Sequence, residues 1–475
     1  MPNNVTVIVL AAGGGTRMRS KTMKVLHEVG GRSMVGHVLT AVRAVEPQRI
    51  VAVVGTQRDQ VGPHIRAFAP DVVLAVQDVL DGTAGAVRVA VSEMAPTGTV
   101  VVVTGDTPLL EGESLKAFAA EHEAAERAVS ILSGVVGNPT GYGRIVRDDE
   151  GDVEAIVEEK DATPQQRDIR EINSGILAFD ADFLLDALPR IGNDNAKGEF
   201  YLTDTVRLAR DAGLTIGAYP IDDVMQTEGA NDRVQLAELG REMNRRIVTR
   251  WMRDGVTVMD PATTWIDADV RLEPDVTILP GTQLLGATVV AEDAVIGPDT
   301  TLKDCEIGVG ARVVRTHGEL AVIGARATVG PFSYLRPGTL LGAGGKIGAF
   351  VEVKNSTIAD GAKVPHLSYV GDGDIGPGAN IGAGTIFANY DGTTKHRTTV
   401  GKGAKTGANN TFVAPVSIGE GAMTGGGTVV RKDVPPGALA VSAATQRNLE
   451  GYVERRTVRD ADPGDEFPAA GGGES

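Results

Sequence analysis

An aliphatic residue returns at every sixth position through much of the second half of this chain, and this period restricts what the segment can fold into. A helix would repeat its apolar positions every 3.6 residues, and a half-buried strand would repeat them every second residue. A six-residue period is typical of a hexapeptide β-helix, in which each hexad forms one flat side and about three hexads close one turn. Chance could give one short series, but several series in one segment argue against chance. The series are Ile266, Leu272, Ile278, Leu284, Val290, Ile296 and Leu302; then Ile323, Val329, Leu335, Leu341, Ile347 and Val353; then Ile358, Val364 and Val370; and finally Val400, Thr406, Phe412, Ile418, Thr424 and Val430.

The composition narrows the classes of partner and compartment. The net charge of −16 argues against nucleic acid as a main partner, because neutralising phosphates needs a basic face. The only cysteine, Cys305, excludes an intrachain disulfide framework, and with no accompanying histidine motif we interpret it as packing rather than as a nucleophile. The first ten residues lack a basic leader and a cleavage site, and their apolar run is too short to span a membrane. We therefore expect a cytoplasmic protein with no membrane partner.

The order of predicted elements indicates two architectures joined by a helix. Strands are expected at 5–10, 50–54, 72–77 and 99–104, with a helix near 33–45. This alternation is typical of a doubly wound parallel α/β sheet, which we place at 1–227. Residues 228–254 contain an amphipathic stretch, 231–253, that we interpret as a connecting helical arm. The β-helix is expected at 255–452, and a charged, then glycine-rich tail at 453–475 is expected to be disordered.

The first motif with chemical content is L-A-A-G-G-G-T-R-M at 10–18. Glycines after a strand let the backbone approach a phosphate, and Arg17 and Lys24 supply positive charge. A glycine-rich turn alone is a weak signal for nucleotide binding. A second signal is G-D-T-P, in which Asp106 follows a predicted strand and could hold Mg²⁺ against a triphosphate. Taken alone, an aspartate in G-D-x-P is more often a turn or helix-cap residue than a metal ligand.

Five motifs together extend these signals to a known family. L-A-A-G-x-G-T-R-M, K-V-L-H, G-D-T-P-L, G-Y-G-R-I and V-E-E-K-D-A-T are similar to motifs of sugar-1-phosphate nucleotidyltransferases. With the hexads, residues 5–450 resemble the bifunctional GlmU family, which fuses a UDP-N-acetylglucosamine pyrophosphorylase to a glucosamine-1-phosphate acetyltransferase. The resemblance implies a left-handed β-helix, Mg²⁺ as cofactor, UTP and acetyl-CoA as co-substrates, and a homotrimer. It also implies that the product, UDP-N-acetylglucosamine, is a precursor of bacterial peptidoglycan.

The resemblance implies roles for residues of the first domain. Arg17 and Lys24 would steady the triphosphate, while Asp106 and Asn231 would ligate Mg²⁺. The reaction would be in-line attack of a sugar-phosphate oxygen on the α-phosphorus of UTP, with no protein nucleophile. The remaining contacts would come from Leu10, Ala11, Ala12 and Gly13 in the uridine and phosphate pocket, Gln77, Gly82 and Thr83 at the uracil, and Gly143, Glu158 and Asn173 at the sugar.

In the β-helix the resemblance makes His366 the general base that deprotonates the amine of glucosamine-1-phosphate. Histidine suits this role because it accepts a proton near neutral pH, although a lone histidine is usually structural or exposed. We expect P-H-L-S-Y at 365–369 and N-Y-D-G at 389–392 to interrupt the hexads. Other substrate contacts would be Arg336, Lys354, Tyr369, Asn380, Asn389, Tyr390 and Lys395, and acetyl-CoA contacts would be Ala383, Ala408 and Gly426. Without the resemblance, the three cationic residues among them would be solvated corner charges.

Several positions depart from the family pattern. Met23 replaces a proline before Lys24, and Asp232 replaces the second asparagine of an N-N-R motif, where its carboxylate could strengthen metal binding or do nothing. D-G-T-A-G-A at 81–86 replaces L-G-T-G-H-A, so that Gly85 stands in place of a histidine and the uracil or sugar contacts are in question. Ala408 replaces a serine, which would weaken acetyl-CoA binding by about 0.5–1.5 kcal/mol. Gly426 replaces an alanine.

Two other functions stay open at this stage. One is a single-function nucleotidyltransferase whose β-helix serves only assembly or allostery, as in enzymes that resemble ADP-glucose pyrophosphorylase. His366 with Asn389, Arg336 and Lys354 argues against it, because a structural β-helix needs none of them. The other is a non-catalytic scaffold or regulatory subunit, as in translation-exchange-factor subunits that pair similar domains. Retention of Arg17, Lys24, Asp106 and Asn231 argues against that function.

Overall fold

The computed structural model describes residues 4–55, 58–442 and 446–455. The chain forms two compact units, Met1–Ala321 and Val322–Ser475. The division falls within the hexapeptide region, and each unit is described separately below. Most of the predicted tail, from residue 456 onward, lies outside the described residues.

The first unit begins with an α/β fold. Among its described residues, the α-helices are α1 (Met34–Ala41), α2 (Arg58–Phe68), α3 (Thr83–Glu93), α4 (Gly112–Ala124), α5 (Pro164–Arg167), α6 (Ala181–Ala187), α7 (Asp204–Asp211) and α8 (Arg233–Arg253). Short 3-10 helices lie at Thr16–Met18, Lys24–Leu26, Val42–Val45, Leu188–Arg190 and Val224–Thr227. The strands of this fold are β1 (Val5–Ala11), β2 (Glu28–Val29), β3 (Arg32–Ser33), β4 (Arg49–Val54), β5 (Val73–Val76), β6 (Thr99–Thr104), β7 (Val129–Val135), β8 (Gly143–Arg147), β9 (Val153–Val157), β10 (Glu171–Asp180) and β11 (Ile216–Pro220).

The main sheet has the strand order β11-β7-β10-β6-β1-β4-β5, and β8 extends it beside β10 with β9 beside β8. Strand β1 pairs in parallel with β4 on one side and β6 on the other. The chain therefore reverses its winding direction at β1, and the carboxyl ends of β1 and β6 flank the position where such sheets bind ligands. The four strands predicted from the sequence are confirmed as β1, β4, β5 and β6. The rest of the sheet is mixed, because β10 runs antiparallel to both β6 and β7.

Helices cover both faces of this sheet, as a doubly wound fold requires. In β1, Val7 and Val9 belong to one apolar cluster, whereas Ile8 belongs to the other. The alternation follows from the two-residue repeat of a strand whose faces are both buried. The predicted helix at 33–45 is observed as α1 continued by the 3-10 turn Val42–Val45.

Helix α8 confirms the amphipathic stretch predicted at 231–253. Asp232 caps it, since its carboxylate oxygen Oδ1 accepts hydrogen bonds from the backbone N–H groups of Val234 at 2.9 Å and Gln235 at 3.0 Å. Further along the helix, the buried Asn244 amide donates to the carbonyl of Thr264 and accepts from the N–H of Ile266. Within the first unit, these bonds attach the helix to the first coil of the hexapeptide region.

The rest of the first unit consists of short parallel strands. They are β12 (Thr257–Val258), β13 (Trp265–Ile266), β14 (Arg271–Leu272), β15 (Thr277–Ile278), β16 (Gln283–Leu285), β17 (Val289–Val290), β18 (Val295–Ile296), β19 (Thr301–Lys303), β20 (Glu306–Ile307), β21 (Arg312–Val313) and β22 (Thr316–Glu319). Successive coils align them in three ladders, β12-β15-β18-β21, β13-β16-β19-β22 and β14-β17-β20. Cys305 is fully buried here, and burial raises the pKa of its thiol, as expected for a packing residue.

The second unit repeats the three-ladder arrangement. Its strands, with β23 at the boundary, are β23 (Ala321–Ile323), β24 (Thr328–Val329), β25 (Ser333–Leu335), β26 (Thr339–Leu341), β27 (Lys346–Ala349), β28 (Glu352–Lys354), β29 (Ser356–Ile358), β30 (Lys363–His366), β31 (Tyr369–Gly371), β32 (Gly373–Ile375), β33 (Ile386–Ala388), β34 (Thr398–Val400), β35 (Thr411–Val413), β36 (Val416–Ile418), β37 (Met423–Thr424), β38 (Val429–Val430) and β39 (Leu439–Ala440). Its ladders are β24-β27-β30, β25-β28-β31-β33-β35-β38 and β26-β29-β32-β34-β36. Three parallel ladders are consistent with the predicted left-handed β-helix.

The hexad positions form the interior, as predicted. Every residue of the predicted series is buried, and the most exposed of them, Leu272 and Thr406, are each 7% exposed. One expected interruption is wrong. Residues 365–369 do not break the repeat, because Val364 and Val370 are both fully buried six residues apart and strands β30 and β31 carry the coil through. The chain turns the corner between them at Leu367, whose φ is 51°.

The other predicted interruption, at 389–392, is confirmed. The chain leaves the coil after β33 and returns at β34, and an antiparallel bridge joins Tyr390 to Lys395. The N–H of His396 donates to the carbonyl of Asn389 at 2.8 Å, which closes the base of this excursion.

Within the described residues, no helix combines the length and the apolar content needed to cross a membrane.

Candidate active sites

The glycine loop follows the carboxyl end of β1. Gly13 and Gly14 are exposed, and a β-carbon on either would meet nothing within 4 Å, so a ligand can approach their backbone. Gly15 has φ of 59°, and a β-carbon there would lie 2.5 Å from Cβ of Lys24. Glycine is needed at this position both for the left-handed backbone and for the close passage of Lys24. Of the preceding predicted residues, Ala11 and Ala12 are buried beneath the loop.

Three predicted residues from distant parts of the chain meet beside this loop. The Lys24 ammonium forms an ion pair with Oδ2 of Asp106 and donates to Oδ1 of Asn231 at 3.2 Å. Asp106 stands after β6, and Asn231 stands just before the N-cap of α8. One carboxylate oxygen and one amide oxygen therefore converge on a single cationic atom.

Met23, Arg17 and Asp232 also lie near the loop, but their side chains do not take part in these contacts. Met23 has φ of −59°, close to the value that proline would impose, so the loss of proline leaves the backbone unchanged. Arg17 lies exposed in the turn Thr16–Met18 and has no ion pair with any described residue. The carboxylate of Asp232 is engaged in capping α8, so the structure assigns it a structural use beside Asn231.

The predicted uracil residues lie at the end of β5 and the start of α3. The Gln77 side chain, buried with 4% exposure, donates through Nε2 to Oδ1 of Asp81 at 2.9 Å and to the carbonyl of Gly82 at 3.1 Å. Gly82 has φ of 117°, and a β-carbon there would lie 2.5 Å from the carbonyl oxygen of Phe200. Thr83 accepts a hydrogen bond from the N–H of Leu202. Asp81, a departure from the family pattern, thus contacts one of the predicted recognition residues.

The three predicted sugar residues line one cavity of about 220 Å³, which Leu10 and Thr83 also line. A β-carbon on Gly143 would lie 3.4 Å from Oε1 of Glu158 and 3.6 Å from Cβ of Asn173, so glycine leaves this space open. The ladder of β10 shifts register after Asn173, and such a bulge re-aims the side chains beside it. Burial raises the pKa of Glu158, and only the Lys197 ammonium opposes this shift.

Sequence reasoning missed residues that shape this cavity. Tyr142, in the G-Y-G-R-I motif, lines it and donates its hydroxyl to Glu228. Burial, followed by the neighbouring Glu228 carboxylate, raises the pKa of Tyr142. Arg144, only 1% exposed, pairs with Glu159 and donates to the carbonyl of Tyr142, which holds the motif in place. An aromatic residue between two glycines was the available signal. Thr104, Ser174, Gly175 and Thr203 also line the cavity, and no motif used in the sequence analysis pointed to them.

In the second unit, a residue absent from the prediction organises the candidate acetyltransferase site. Asp372, 5% exposed, accepts from Asn355 Nδ2 at 2.6 Å through Oδ1 and from Asn389 Nδ2 at 2.5 Å through Oδ2. The Lys354 ammonium lies 3.7 Å from the same Oδ2. Burial alone would favour the neutral acid, but the two amide donors, together with Lys354 and Lys395, hold the pKa of Asp372 below its usual value. The ionised carboxylate thus fixes the orientation of the Asn389 amide.

The coil register brings the predicted cations together. Leu335 pairs with Val353, so Arg336 and Lys354 follow on adjacent coils, and Lys354 in turn pairs with Gly371. The excursion after Asn389 returns Lys395 to this group. The neighbouring Lys354 ammonium lowers the pKa of Lys395. Arg336 pairs with Glu352 at 2.9 Å. Two ammonium groups held this close form a site for an anion such as a phosphate.

Tyr369 and Asn389 meet over Gly371. A β-carbon on Gly371 would lie 2.5 Å from the hydroxyl of Tyr369 and 2.6 Å from Nδ2 of Asn389, so glycine is needed for the two side chains to approach each other. His366 lies at the neighbouring corner, at the end of β30, where its exposed imidazole makes no hydrogen bond to a described residue. The structure therefore brings Tyr369 and Asn389 together and leaves the His366 ring open to solvent.

The predicted acetyl-CoA residues stack on successive coils. The carbonyl of Ala383 accepts from the N–H of Asn409, and the carbonyl of Ala408 accepts from the N–H of Gly427. A β-carbon on Gly426 would meet only the carbonyl oxygen of Ala408, at 3.7 Å. Of the other predicted residues, Asn380 joins neighbouring coils through its backbone, and the exposed Tyr390 donates to the carbonyl of Gly392.

The chain is similar to known proteins along nearly its whole length, so the similarity extends through both units. Residues 7–167 match the family of MobA-like NTP transferase domains. The chain is 57% identical over 451 residues to the bifunctional protein GlmU of Paenarthrobacter aurescens, an alignment that covers 94% of this chain and 91% of the relative. It is 53% identical to the bifunctional protein GlmU of Corynebacterium jeikeium over 99% of this chain and 96% of the relative. It is 55% identical to that of Rhodococcus jostii over 96% of this chain and 93% of the relative.

Proposed function

The chain belongs to the GlmU family of bifunctional proteins, and on that basis we propose which of its residues carry out the two reactions. One reaction transfers an acetyl group from acetyl-CoA to glucosamine-1-phosphate. The other transfers a uridylyl group from UTP to N-acetylglucosamine-1-phosphate and yields UDP-N-acetylglucosamine and pyrophosphate. The observation that carries the proposal is the convergence of Lys24, Asp106 and Asn231 beside a glycine loop, because a scaffold protein has no need of it.

In the uridylyl transfer, the sugar-phosphate oxygen attacks the α-phosphorus in line and pyrophosphate leaves. The N–H groups of the loop at Gly13 and Gly14 donate hydrogen bonds to phosphate oxygens, and Lys24 and Arg17 stabilise the charge that develops on the leaving group. The cavity at Gly143, Glu158 and Asn173 is the proposed site for the sugar, and its position between the carboxyl end of β1 and strand β10 supports this assignment. Gln77 is the proposed contact for the base. Positioning and charge, rather than a covalent intermediate, provide the catalysis.

The donor set beside Lys24 fits a magnesium ion. Asp106 offers a carboxylate oxygen and Asn231 an amide oxygen, and both already face one cationic atom. Magnesium commonly takes one or two protein ligands and completes its shell with phosphate oxygens and water. When bound, the ion would neutralise charge on the triphosphate. Asp106 and Asn231 would hold the ion, and the Lys24 ammonium, no longer needed to neutralise Asp106, could then pair with the phosphates.

In the acetyl transfer, the amine of glucosamine-1-phosphate attacks the thioester carbonyl, a C–N bond forms, and the CoA thiolate leaves. The proposed general base is His366, which removes the proton from the amine, and its unpartnered, exposed imidazole is available for that role. Asn389, oriented by Asp372, positions the amine. Lys354, Lys395 and Arg336 bind the sugar phosphate, which adds a second anion to the Asp372 carboxylate beside the two lysines.

We propose that the protein is a homotrimer located in the cytoplasm, where UTP and acetyl-CoA are made. The apolar side chains on the second unit support self-association. Phe332 and Phe350 are 53% and 59% exposed, and their rings stack with centroids 5.2 Å apart. Leu367, on the next coil and beside His366, is 62% exposed. Light scattering after gel filtration would give three times the mass of the 49.4-kDa chain if the trimer is correct.

One experiment tests both activities and separates them. The native protein, His366→Ala and Asp106→Ala are incubated with glucosamine-1-phosphate, acetyl-CoA, UTP and Mg²⁺, and CoA, pyrophosphate and UDP-N-acetylglucosamine are measured. The native chain should release all three. His366→Ala should fail to release CoA but should still convert added N-acetylglucosamine-1-phosphate and release pyrophosphate. Asp106→Ala should still release CoA but should fail to release pyrophosphate. CoA release that is unaffected in His366→Ala would refute the assigned base. A native chain that never releases CoA would support the single-function alternative.

A further inference from the structure

The orientation of the Gln77 side chain is determined by its two partners. Its Nε2 atom donates to a carboxylate oxygen of Asp81 at 2.9 Å and to the carbonyl oxygen of Gly82 at 3.1 Å. Both partners can only accept hydrogen bonds, so the nitrogen and not the oxygen of the amide must face them. The two amide hydrogens are thereby used. The Oε1 atom remains as the hydrogen-bonding group that Gln77 can offer to a ligand, and it can only accept.

Asp81 occupies this position because Gly85 leaves room for its carboxylate. A β-carbon on residue 85 would lie 1.8 Å from Oδ1 of Asp81 and 2.5 Å from its Cγ. Any side chain at 85 would therefore displace the carboxylate. The backbone of Asp81 is also fixed, since its carbonyl accepts from the N–H of Phe200 at 2.7 Å. Two of the departures from the L-G-T-G-H-A pattern, those at residues 81 and 85, form one structural unit.

We propose that Asp81 is a positioning residue that sets the base selectivity of the uridylyltransferase by holding Gln77 as a pure acceptor. The inference rests on the proposed function, in which Gln77 faces the base. Uracil presents an N3–H donor, which the fixed Oε1 of Gln77 can accept. Cytosine presents a bare N3 acceptor at the same position, so two acceptors would face each other in a buried site. A leucine at 81, as in the family pattern, would leave one amide hydrogen free to donate to such a base.

The test is the ratio of kcat/KM for UTP to that for CTP, measured as pyrophosphate release with N-acetylglucosamine-1-phosphate and Mg²⁺. Asp81→Leu removes the acceptor, and Asp81→Ala removes it without adding bulk. Asp81→Asn retains an oxygen that can accept from Nε2. Asp78→Leu is the matched control, because Asp78 lies in the same loop but pairs with Arg58 on the surface.

The inference predicts that the UTP-to-CTP ratio falls roughly five- to tenfold in Asp81→Leu and Asp81→Ala, the effect of about one hydrogen bond. Asp81→Asn and Asp78→Leu should keep the native ratio. An equal loss for both nucleotides in Asp81→Leu and Asp81→Ala would show that Asp81 only holds the loop, and would overturn the inference while leaving the uridylyltransferase intact. A fall in Asp81→Asn as large as that in Asp81→Leu would also overturn it. A native protein that turns over neither nucleotide would refute the proposed function, and the inference with it.

Discussion

Replacement of Asp372 is the most informative perturbation of the second unit, because this buried carboxylate orders the side chains around the proposed amine site. Its Oδ1 and Oδ2 atoms accept from the amides of Asn355 and Asn389 at 2.6 and 2.5 Å. A hydrogen bond to a charged group contributes about 1.5–3 kcal/mol, and removing one partner of a buried charged cluster costs about 3–5 kcal/mol. We therefore expect Asp372→Ala to lower the free energy of unfolding by about 3–5 kcal/mol.

The backbone of residue 372 provides an internal comparison. Its φ is 51°, a left-handed conformation that glycine adopts freely and that alanine adopts at a cost of roughly 1–2 kcal/mol. Asp372→Gly should thus be more stable than Asp372→Ala by about 1 kcal/mol, although both lose the same hydrogen bonds. An asparagine at 372 also adopts this backbone conformation readily and keeps one acceptor oxygen. Its NH₂ group, however, would face the amide donor of Asn355 or Asn389. The expected order of stability is native, Asp372→Asn, Asp372→Gly and Asp372→Ala.

Function and pH give independent checks on the same residue. The pKa of Asp372 is lower in the folded protein than its usual value, so its stabilising contribution is fully present above that usual value. The contribution is lost as the pH falls through the folded-state pKa, and the stability difference between native and Asp372→Asn should shrink below about pH 4. CoA release should slow in Asp372→Asn because Asn389 is no longer held, while pyrophosphate release from the other site stays unchanged.

The assay is guanidinium unfolding of the native protein and the three variants, with both activities measured on the same samples. Asp374→Asn is the control, since Asp374 lies two residues away and forms an exposed pair with Arg397. Stabilities of Asp372→Ala and Asp372→Gly within about 0.5 kcal/mol of the native value would refute the argument, because that is the range of ordinary surface substitutions. Equal loss of both activities would contradict the local role.

Three further predictions concern single side chains. Because the Asp232 carboxylate caps α8, Asp232→Ala should destabilise the protein by about 1 kcal/mol and Asp232→Asn by much less. The Mg²⁺ concentration for half-maximal pyrophosphate release should be unchanged in both variants. A weaker response to Mg²⁺ in Asp232→Asn would instead make Asp232 a metal ligand. Gly426→Ala should be tolerated and stabilising by about 0.4–1 kcal/mol in thermal unfolding, because the new β-carbon meets only an oxygen at 3.7 Å; a marked loss of stability would contradict this. The KM of N-acetylglucosamine-1-phosphate should rise as the pH falls toward the raised pKa of Glu158. In Glu158→Gln the KM should not change with pH. A pH dependence that persists in this variant would show that another group causes it.

The sequence was sufficient to predict the structure wherever a short-range period or a motif determined it. The six-residue repeat predicted which side chains fill the β-helix, since each aliphatic position must point inward for the coils to stack. Strands β1, β4, β5 and β6 were recognisable because the strands of a parallel sheet form mostly apolar runs, such as Val5–Ala11. The antiparallel β10 was not predicted, because the direction of a strand depends on the path of the chain between strands and leaves no local pattern.

The candidate sites were predictable in their cations and carboxylates but not in the groups that hold them. Asp372 and Arg144 carry no signal of their own, because a buried charge is recognised only from partners that lie far away along the sequence or on another coil. Asp232 illustrates the same limit. Its carboxylate was open to interpretation as a metal ligand, and only the geometry of the α8 N-terminus assigns it to the helix. The interruption expected at 365–369 was wrong for a related reason, since a proline and a histidine fit a β-helix corner without changing the hexad count.

The confirmed interruption at 389–392 brings a further cation to the proposed phosphate site of the β-helix. A strict repeat places side chains in straight rows, so Arg336 and Lys354 can stand on adjacent coils, but a row alone brings cations to only one side of a ligand. The excursion after β33 leaves the ladder and returns Lys395 beside Lys354, close enough to lower the pKa of Lys395. Two ammonium groups this close repel each other unless an anion lies between them. The break in the period therefore coincides with the place where the proposed sugar phosphate would join the Asp372 carboxylate in relieving this repulsion. The loop that carries Lys395 also begins with Asn389, the residue proposed to orient the reacting amine.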